Sequence, residues 1–456
     1  DLNDPANVLQ GTLCLGIDSL ACEPLTNGVD LAGKIAVVYR GTCEFGAKAL
    51  ACQNEGAIGC VIINNAGDPV GMAGGTFGLD VTIPVIMIST AAGVQLYDEI
   101  ASCNIQATIG NLNGFYANNL RITPGGINRP NAYGQIAALN ADASEFSIDA
   151  GAWAYNFGTE DEPAAVIGMT VSLDGTSLYD EFSDPVAIPA GDSIYMTLPA
   201  FSQASYPIGF YETTYTISGN TEDQFTGDNA QIANFKMGNS FSYGRLGDDD
   251  RADAITSFRQ TELIGEGHYC IYFSDPNASR VVVNSFDFTG TNFDGVVDDI
   301  DMEAVVYVWE DEFAGLETPL TEFDEVDSEG YTFTTGDDDQ TITLDFTNPI
   351  ELEDGDNYLF CVRHENPELA FGYDNQTNYT QTQFLSQTPI NPSWDESASF
   401  INGFGLDAIP AISVGMTSVV GLDEAREQVE LTPFPNPANE TLSIPFKNDM
   451  KGAAVL

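Results

Sequence analysis

A chain of 456 residues with 43% hydrophobic and 11% aromatic side chains has room for about three ordinary domains, with enough apolar surface for a core in each. Its 68 acidic residues meet only 14 basic ones, and the formal net charge of −54 repels phosphate backbones and anionic lipid heads, so no nucleic acid or membrane-surface partner is expected. No apolar run is long enough for a membrane-spanning helix, so no membrane insertion is expected either.

The charge is uneven. Residues 1–130 hold 11 acidic and 5 basic side chains (net −6), whereas residues 131–418 hold 51 and 6 (net −45), which predicts a domain boundary near 130. Such a surface stays soluble where salt screens its self-repulsion, which suits a marine or saline extracellular setting or simply an acidic secreted protein with no special habitat. Six of the eight cysteines (Cys14, Cys22, Cys43, Cys52, Cys60 and Cys103) precede residue 104, and Cys270 and Cys361 stand apart. None forms a CxxC pair. An even count with wide spacing suits disulfides in an oxidising compartment, though spacing alone does not give the pairing.

In chain order, Ile35–Tyr39 (IAVVY) is a continuous apolar run, as in a strand covered on both faces. Glu44–Glu55 reads as a helix with Phe45, Ala49 and Cys52 on one stripe, and Gly56 sits where a C-terminal cap belongs. Cys60–Asn64 and Pro84–Ile88 are further strands, and Ser89 or Thr90 can cap a helix through about Ala101. Together they predict a small α/β layer over residues 1–115.

The residues Gly33-Lys34-Ile35, Arg40-Gly41, Cys43, Phe45, Lys48, Gly56-Ala57, Asn64-Asn65 and Ile83-Pro84-Val85 carry a resemblance to the protease-associated (PA) domain family across about residues 8–110. The resemblance implies a non-catalytic module that binds or gates protein substrates beside peptidases or in receptors. It also implies a Cys22–Cys43 cystine, and more sequence ahead of the first strand.

Residues 116–144 are rich in Asn, Gly and Pro and predict a linker. Residues 145–240 change character. Ser147–Ala152, Ala164–Leu173, Ser193–Leu198, Gly209–Ser218 and Ala230–Met237 are strand-like runs parted by turn clusters such as Asp174-Gly175 and Thr226-Gly227-Asp228-Asn229, which predicts a β-sandwich. The turn order resembles adhesion-related immunoglobulin-like domains of bacterial surface proteins. Residues 241–418 repeat the all-β pattern, with strands at Tyr269–Phe273, Arg280–Phe288, Ala304–Glu310, Gln340–Phe346 and Asn357–Val362, and predict a larger jelly-roll-like sandwich. After a tether at 419–432, Pro435-Asn436-Pro437-Ala438 with Leu442 and Ile444 resembles the start of a type IX secretion C-terminal sorting domain, type A. That family domain runs further, so residues 433–456 are expected to be only part of it.

Candidate chemistry is sparse. The two histidines, His268 and His364, lie far apart and no HExxH exists, so no zinc peptidase site is expected. Gly175-Thr176-Ser177 echoes a subtilase serine motif but follows an Asp-Gly turn and reads as that turn. His268, Cys270, Cys361 and His364 could suggest zinc. On strands, however, residues three apart point oppositely, and a Cys270–Cys361 disulfide is the preferred reading. Asp294, Asp298, Asp299 and Asp301 are the first candidates for Ca²⁺, ahead of Asp248-Asp249-Asp250 with Asp253 and of Asp337–Asp339. Trp394, in a loop-like NPSWDES, is the candidate for stacking on sugars, while Trp153 and Trp309 are assigned to cores.

The fold class expected is multidomain: a small α/β PA domain followed by two all-β sandwiches. The function expected is extracellular, non-enzymatic binding or adhesion. Its partners would be proteins or glycans at the cell exterior and the type IX secretion machinery, with self-assembly open. The alternatives are an accessory region of a larger secreted peptidase and a carbohydrate-binding module.

Overall fold

The computed structural model describes residues 4–419 except 66–68, 261–262, 293–295, 311–314, 317–319, 402 and 404–407. The described chain is mostly β-sheet with few helices.

The first layer is a five-stranded sheet. Strands β1 (Leu9–Leu15), β2 (Ile35–Tyr39), β3 (Gly59–Ile63), β4 (Val85–Ile88) and β5 (Gln106–Ile109) lie in the order β4-β3-β2-β1-β5, parallel except for β5. Ile35–Val38 and Gly59–Ile63 are fully buried because both faces of the sheet are covered, which is why they read as unbroken apolar runs. One face packs Ala36, Val38, Cys60 and Ile62 under the helix Phe45–Asn54. The other packs Ile35, Val37, Val61 and Ile63 under the helices Thr90–Gln95 and Tyr97–Ala101. Ser89 caps the first of these by accepting from Ala92 N, and Gly56, at φ +84°, turns the chain after the long helix.

Two pairs of facing sheets follow. In the first, the three-stranded sheet Ser193–Thr197, Gly151–Asn156, Leu120–Arg121 packs Ala152, Ala154 and Met196 against Ile167, Met169, Val171, Tyr211 and Tyr215 of a seven-stranded sheet centred on Glu162–Leu173 and Gly209–Ser218. In the second, a seven-stranded sheet centred on Val281–Asn292 presents Val283, Phe286 and Phe288 to Tyr269, Ile271, Phe273, Val306 and Phe360 of a six-stranded sheet.

The segment 116–144, expected as a linker, is structural. Leu120–Arg121 pairs antiparallel with the strand Gly151–Asn156, and Gly134–Ile136 runs parallel to Phe235–Gly238. Ala132, Ile136 and Leu139 then enter the core of the second sheet pair. Arg129, 5% exposed, sits at this joint: its Nη2 donates to Ile232 O, its guanidinium lies 5.3 Å from the Tyr379 ring, and its amide donates to Thr382 Oγ1. The segment is polar because its backbone groups and side chains are used in joining layers, and composition cannot distinguish that from solvent exposure.

Candidate functional site

The residues that define the N-terminal motif converge on the helix Phe45–Asn54. Arg40 donates to Asn64 Oδ1 at 2.9 Å and lies 5.8 Å from the Phe45 ring. Lys48 is fully buried, with its Nζ donating to Leu20 O and standing 3.8 Å from Cys22 Sγ. Burial lowers its pKa, against an opposing pull from Cys60 and Cys52. Cys22 is bonded to Cys43, and Cys14 to Cys103. Cys52 and Cys60 are buried free thiols with sulfurs 3.6 Å apart. The Cys60 thiol donates to Cys52, which holds Cys52 below and Cys60 above the ordinary thiol value.

The loop 70–83 is strapped across this helix. At one end Glu44 accepts from Thr76 N at 2.8 Å and Thr76 Oγ1 at 3.2 Å. At the other, Gln53 Oε1 accepts from Thr82 N at 2.6 Å and Ile83 N at 3.3 Å, while its Nε2 donates to Asp80 O at 3.0 Å. Close approach depends on Gly46, where a Cβ would fall 2.0 Å from Gly74 O. The strap leaves Leu79 wholly exposed and Val70 and Phe77 each 42% exposed. Hollows of about 330 Å³ (Pro24, Ala47, Leu50, Ala51, Phe77) and about 190 Å³ (Phe45, Ala49, Met72, Val81, Val85) flank the helix on either side. Apart from Ile83, no strap residue stands out in the sequence. The available signal is a Gly-rich stretch, GMAGGTFGL, carrying three large apolar residues.

A larger hollow of about 480 Å³ lies between the two sheet pairs. Its walls are occupied with one another: Gln135 donates to Ala132 O, Asn140 to Ile136 O, Tyr272 to Asn357, and Glu145 pairs with Arg280. It reads as the joint between layers.

Cys270 and Cys361 are bonded across neighbouring strands. His268 and His364 are separated by the sheet. His268 stacks on Trp394 at 4.4 Å on the outer face, and His364 stacks on Tyr269 at 5.6 Å on the core face. Burial first, and Arg363 next, press His268 down to about 3; burial presses His364 to about 4. Both imidazoles are neutral at physiological pH.

The Ca²⁺ candidates do not converge. Asp298 accepts from Thr335 N and Asp301 from Thr332 Oγ1, Asp299 occupies a left-handed turn, and Asp294 lies outside the described residues. Among the described residues no three His, Cys, Asp or Glu side chains group to hold a metal. The other acidic runs are also engaged: Asp249 with Arg251, Asp250 with Lys236, Asp253 with Arg245, and Asp337 in a capping box with Thr334. Short acidic side chains in turns find backbone N–H and nearby cations first.

Trp394, expected to be available to sugars, is 8% exposed, sandwiched between His268 and Phe323 in a second small core on the outer face of the six-stranded sheet. The flanking polar residues hid a strand, Ser393–Trp394, that pairs with His268-Tyr269. Of Gly175-Thr176-Ser177, Gly175 completes a left-handed Asp174-Gly175 turn and Thr176 and Ser177 begin the hairpin strand Thr176–Phe182. Pro435, Asn436, Pro437 and Ala438 lie outside the described residues.

Residues 9–96 match the PA domain family model. The chain is 35% identical over 108 residues to ER degradation-enhancing alpha-mannosidase-like protein 3 of Xenopus laevis, covering 22% of this chain and 12% of that protein. It is 33% identical over 95 residues to a probable leucine aminopeptidase 2 of Aspergillus fumigatus, covering 20% of this chain and 19% of that protein. The chain thus spans a fifth or less of the length of these curated relatives. Among solved structures, the CARDB domain of a Pyrococcus furiosus protein is 14% identical with a TM-score of 0.20, covering 27% of this chain and 97% of that one. The N-terminal layer is a PA domain, a peptidase-associated module that is not itself catalytic.

Proposed function

We propose that this chain is a secreted, non-catalytic binding protein of the cell exterior, in which the PA domain docks an extended apolar segment of a partner protein and the two sheet pairs carry that domain. The observation that carries this reading is the strap over the helix Phe45–Asn54, which holds Val70, Phe77 and Leu79 in solvent beside two hollows. Exposed apolar residues held rigidly beside a hollow are the usual mark of a protein-recognition surface. Export by the type IX machinery through residues 433–456, and adhesion or self-assembly at the surface, belong to the same proposal and rest on the tail motif.

The test is selection of a displayed peptide library against the full chain. Extended apolar peptides should be enriched, and the double substitution Phe77→Ser, Leu79→Ser should weaken them at least tenfold. Equal affinity for that variant would remove the docking face. Cleavage of the bound peptides by the purified chain would remove the non-catalytic reading.

A second reading has its own support. A peptidase relative, the probable leucine aminopeptidase 2, matches 20% of this chain over 19% of its own length, which supports reading the chain as the accessory part of a larger secreted peptidase. A zinc-peptidase HExxH or a complete serine triad encoded upstream of Asp1 would decide for it.

A further inference from the structure

The backbone enters the first sheet pair through Ala117–Leu120, and this entry is fastened to turns from two other parts of the chain. Phe157 N donates to Asn119 O at 2.8 Å and Glu160 N to Ala117 O at 3.0 Å. From the other side, Gln224 Oε1 accepts from Ala117 N and Asn118 N, and Asp223 Oδ2 accepts from Leu120 N at 2.8 Å. Where the three segments meet they enclose a hollow of about 10 Å³, the room of a single water or ion, walled by Asn119, Asn156, Glu160, Glu162 and Asp223 among others.

Asn119 is 1% exposed, and neither its Oδ1 nor its Nδ2 has a hydrogen-bond partner. A buried amide left this way calls for an occupant in the hollow it lines. Glu162, 6% exposed, is held by Ala164 N at 2.8 Å and Asn220 N at 3.0 Å, both on Oε1. Its Oε2 has only a long contact from Thr221 N, at 3.4 Å. Asp223 is likewise fixed, by Phe225 N on Oδ1 and by Leu120 N and Asn229 Nδ2 on Oδ2. Glycine is needed around the hollow: a Cβ on Gly219 would stand 2.4 Å from Glu162 Oε2, and one on Gly158 would stand 2.4 Å from Ala117 O.

No Lys, Arg or His is among the lining residues. The neighbouring Arg121 faces Asp228 at 3.5 Å and the Phe157 ring at 5.1 Å. Two carboxylates, one buried and both immobilised by N–H groups, therefore share a one-atom space with an unpaired amide. Their charge favours a cation over a neutral water there, and an all-oxygen donor set of carboxylate, side-chain amide and nearby backbone carbonyl suits a hard divalent ion of the Ca²⁺ type.

We propose that this hollow binds one Ca²⁺-class divalent cation, with Asn119 Oδ1 and carboxylate oxygens of Glu162 and Asp223 as ligands. The ion lies where the chain leaves the PA domain, three residues after Tyr116, whose hydroxyl accepts from Gln10 of that domain at 2.6 Å. Binding stiffens this joint. The site is separate from the Asp298–Asp301 group and independent of the docking face.

The experiment is calorimetric titration of the metal-stripped full chain with CaCl₂ in 150 mM NaCl, paired with thermal melts with and without a chelator. One saturable site should stand above the weak titration of the acidic surface, with a chelator-reversible rise in melting temperature of about 3 °C or more. Glu162→Gln should lower affinity at least tenfold and abolish the rise, whereas Asp298→Asn should leave both as they are. Asn119→Asp, which places a charged oxygen at the same point, should tighten binding. That variant carries the test if Glu162→Gln does not fold, and a folded Asn119→Asp with unchanged or weaker binding would overturn the proposal. Absence of saturable heat and of any chelator effect in the parent chain would assign the hollow to a buried water and overturn it as well.

Discussion

Cys270 faces Cys361 directly across two antiparallel strands, with Cα atoms 4.0 Å apart and sulfurs bonded. The bond closes a loop of sequence separation 91, for which the chain-entropy account gives a stabilisation of roughly 4–5 kcal/mol. We predict that the double substitution Cys270→Ala, Cys361→Ala lowers the unfolding free energy by roughly 3–5 kcal/mol. Urea denaturation followed by tryptophan fluorescence checks this, because Trp309 and Trp394 pack in the same small core as the disulfide. A loss below about 1 kcal/mol would mean that the native cross-link is strained or that the unfolded chain is already restrained.

The two histidines make stability depend on pH. Their folded values, about 3 for His268 and about 4 for His364, lie below the ordinary 6.5. Below about pH 6.5 the unfolded chain takes up protons that the folded chain refuses, so their contribution is retained above that pH and lost as pH falls toward 4. His364→Phe should flatten this loss, since His364 already packs against Tyr269 and Phe371. Urea midpoints at pH 7, 6, 5 and 4.5 for parent and variant provide the comparison. Parallel curves would refute the assignment.

Asp228 acts in the opposite sense. Burial pushes its carboxyl up to about 6, against the pull of Arg121. Between about pH 4 and 6 the folded chain therefore holds a proton that the unfolded chain has released, and stability from this group declines as pH rises through that window. Asp228→Asn should be more stable than the parent at pH 7 and indistinguishable from it near pH 4. Thermal melts at the two pH values measure the difference.

Gly46→Ala should displace the strap, because its Cβ would meet Gly74 O at 2.0 Å. The expected cost is about 1–3 kcal/mol. Any peptide that docks beside Phe77 should weaken in parallel. Proteolysis of the 70–83 loop, faster in the variant than in the parent, would report the displacement directly.

Local pattern was readable where one stretch of chain carries its own reason. Ile35–Tyr39 is a strand with the same limits read from sequence, since an unbroken apolar run suits a strand buried on both faces. Gly56 ends the helix that begins at Phe45, and Asp174-Gly175 makes the hairpin turn. The exposed strand Thr176–Phe182 carries no such signal, because TSLYDEF is polar on the face that meets water and has no fully buried position to mark it.

The sequence by itself determined that the first hundred residues fold as a PA domain, that the remainder is β-rich, and that its two histidines are too far apart for a peptidase helix. Only the tertiary structure decided where polar residues end up. Trp394 is buried because a neighbouring strand covers it, the acidic runs are consumed by turns and scattered Arg and Lys, and 116–144 serves two cores at once. Asn119 became notable only when three distant segments closed around it. The physical reason is the same in each case: a polar side chain's state depends on which hydrogen-bond partners the fold brings to it, and those partners are remote in sequence.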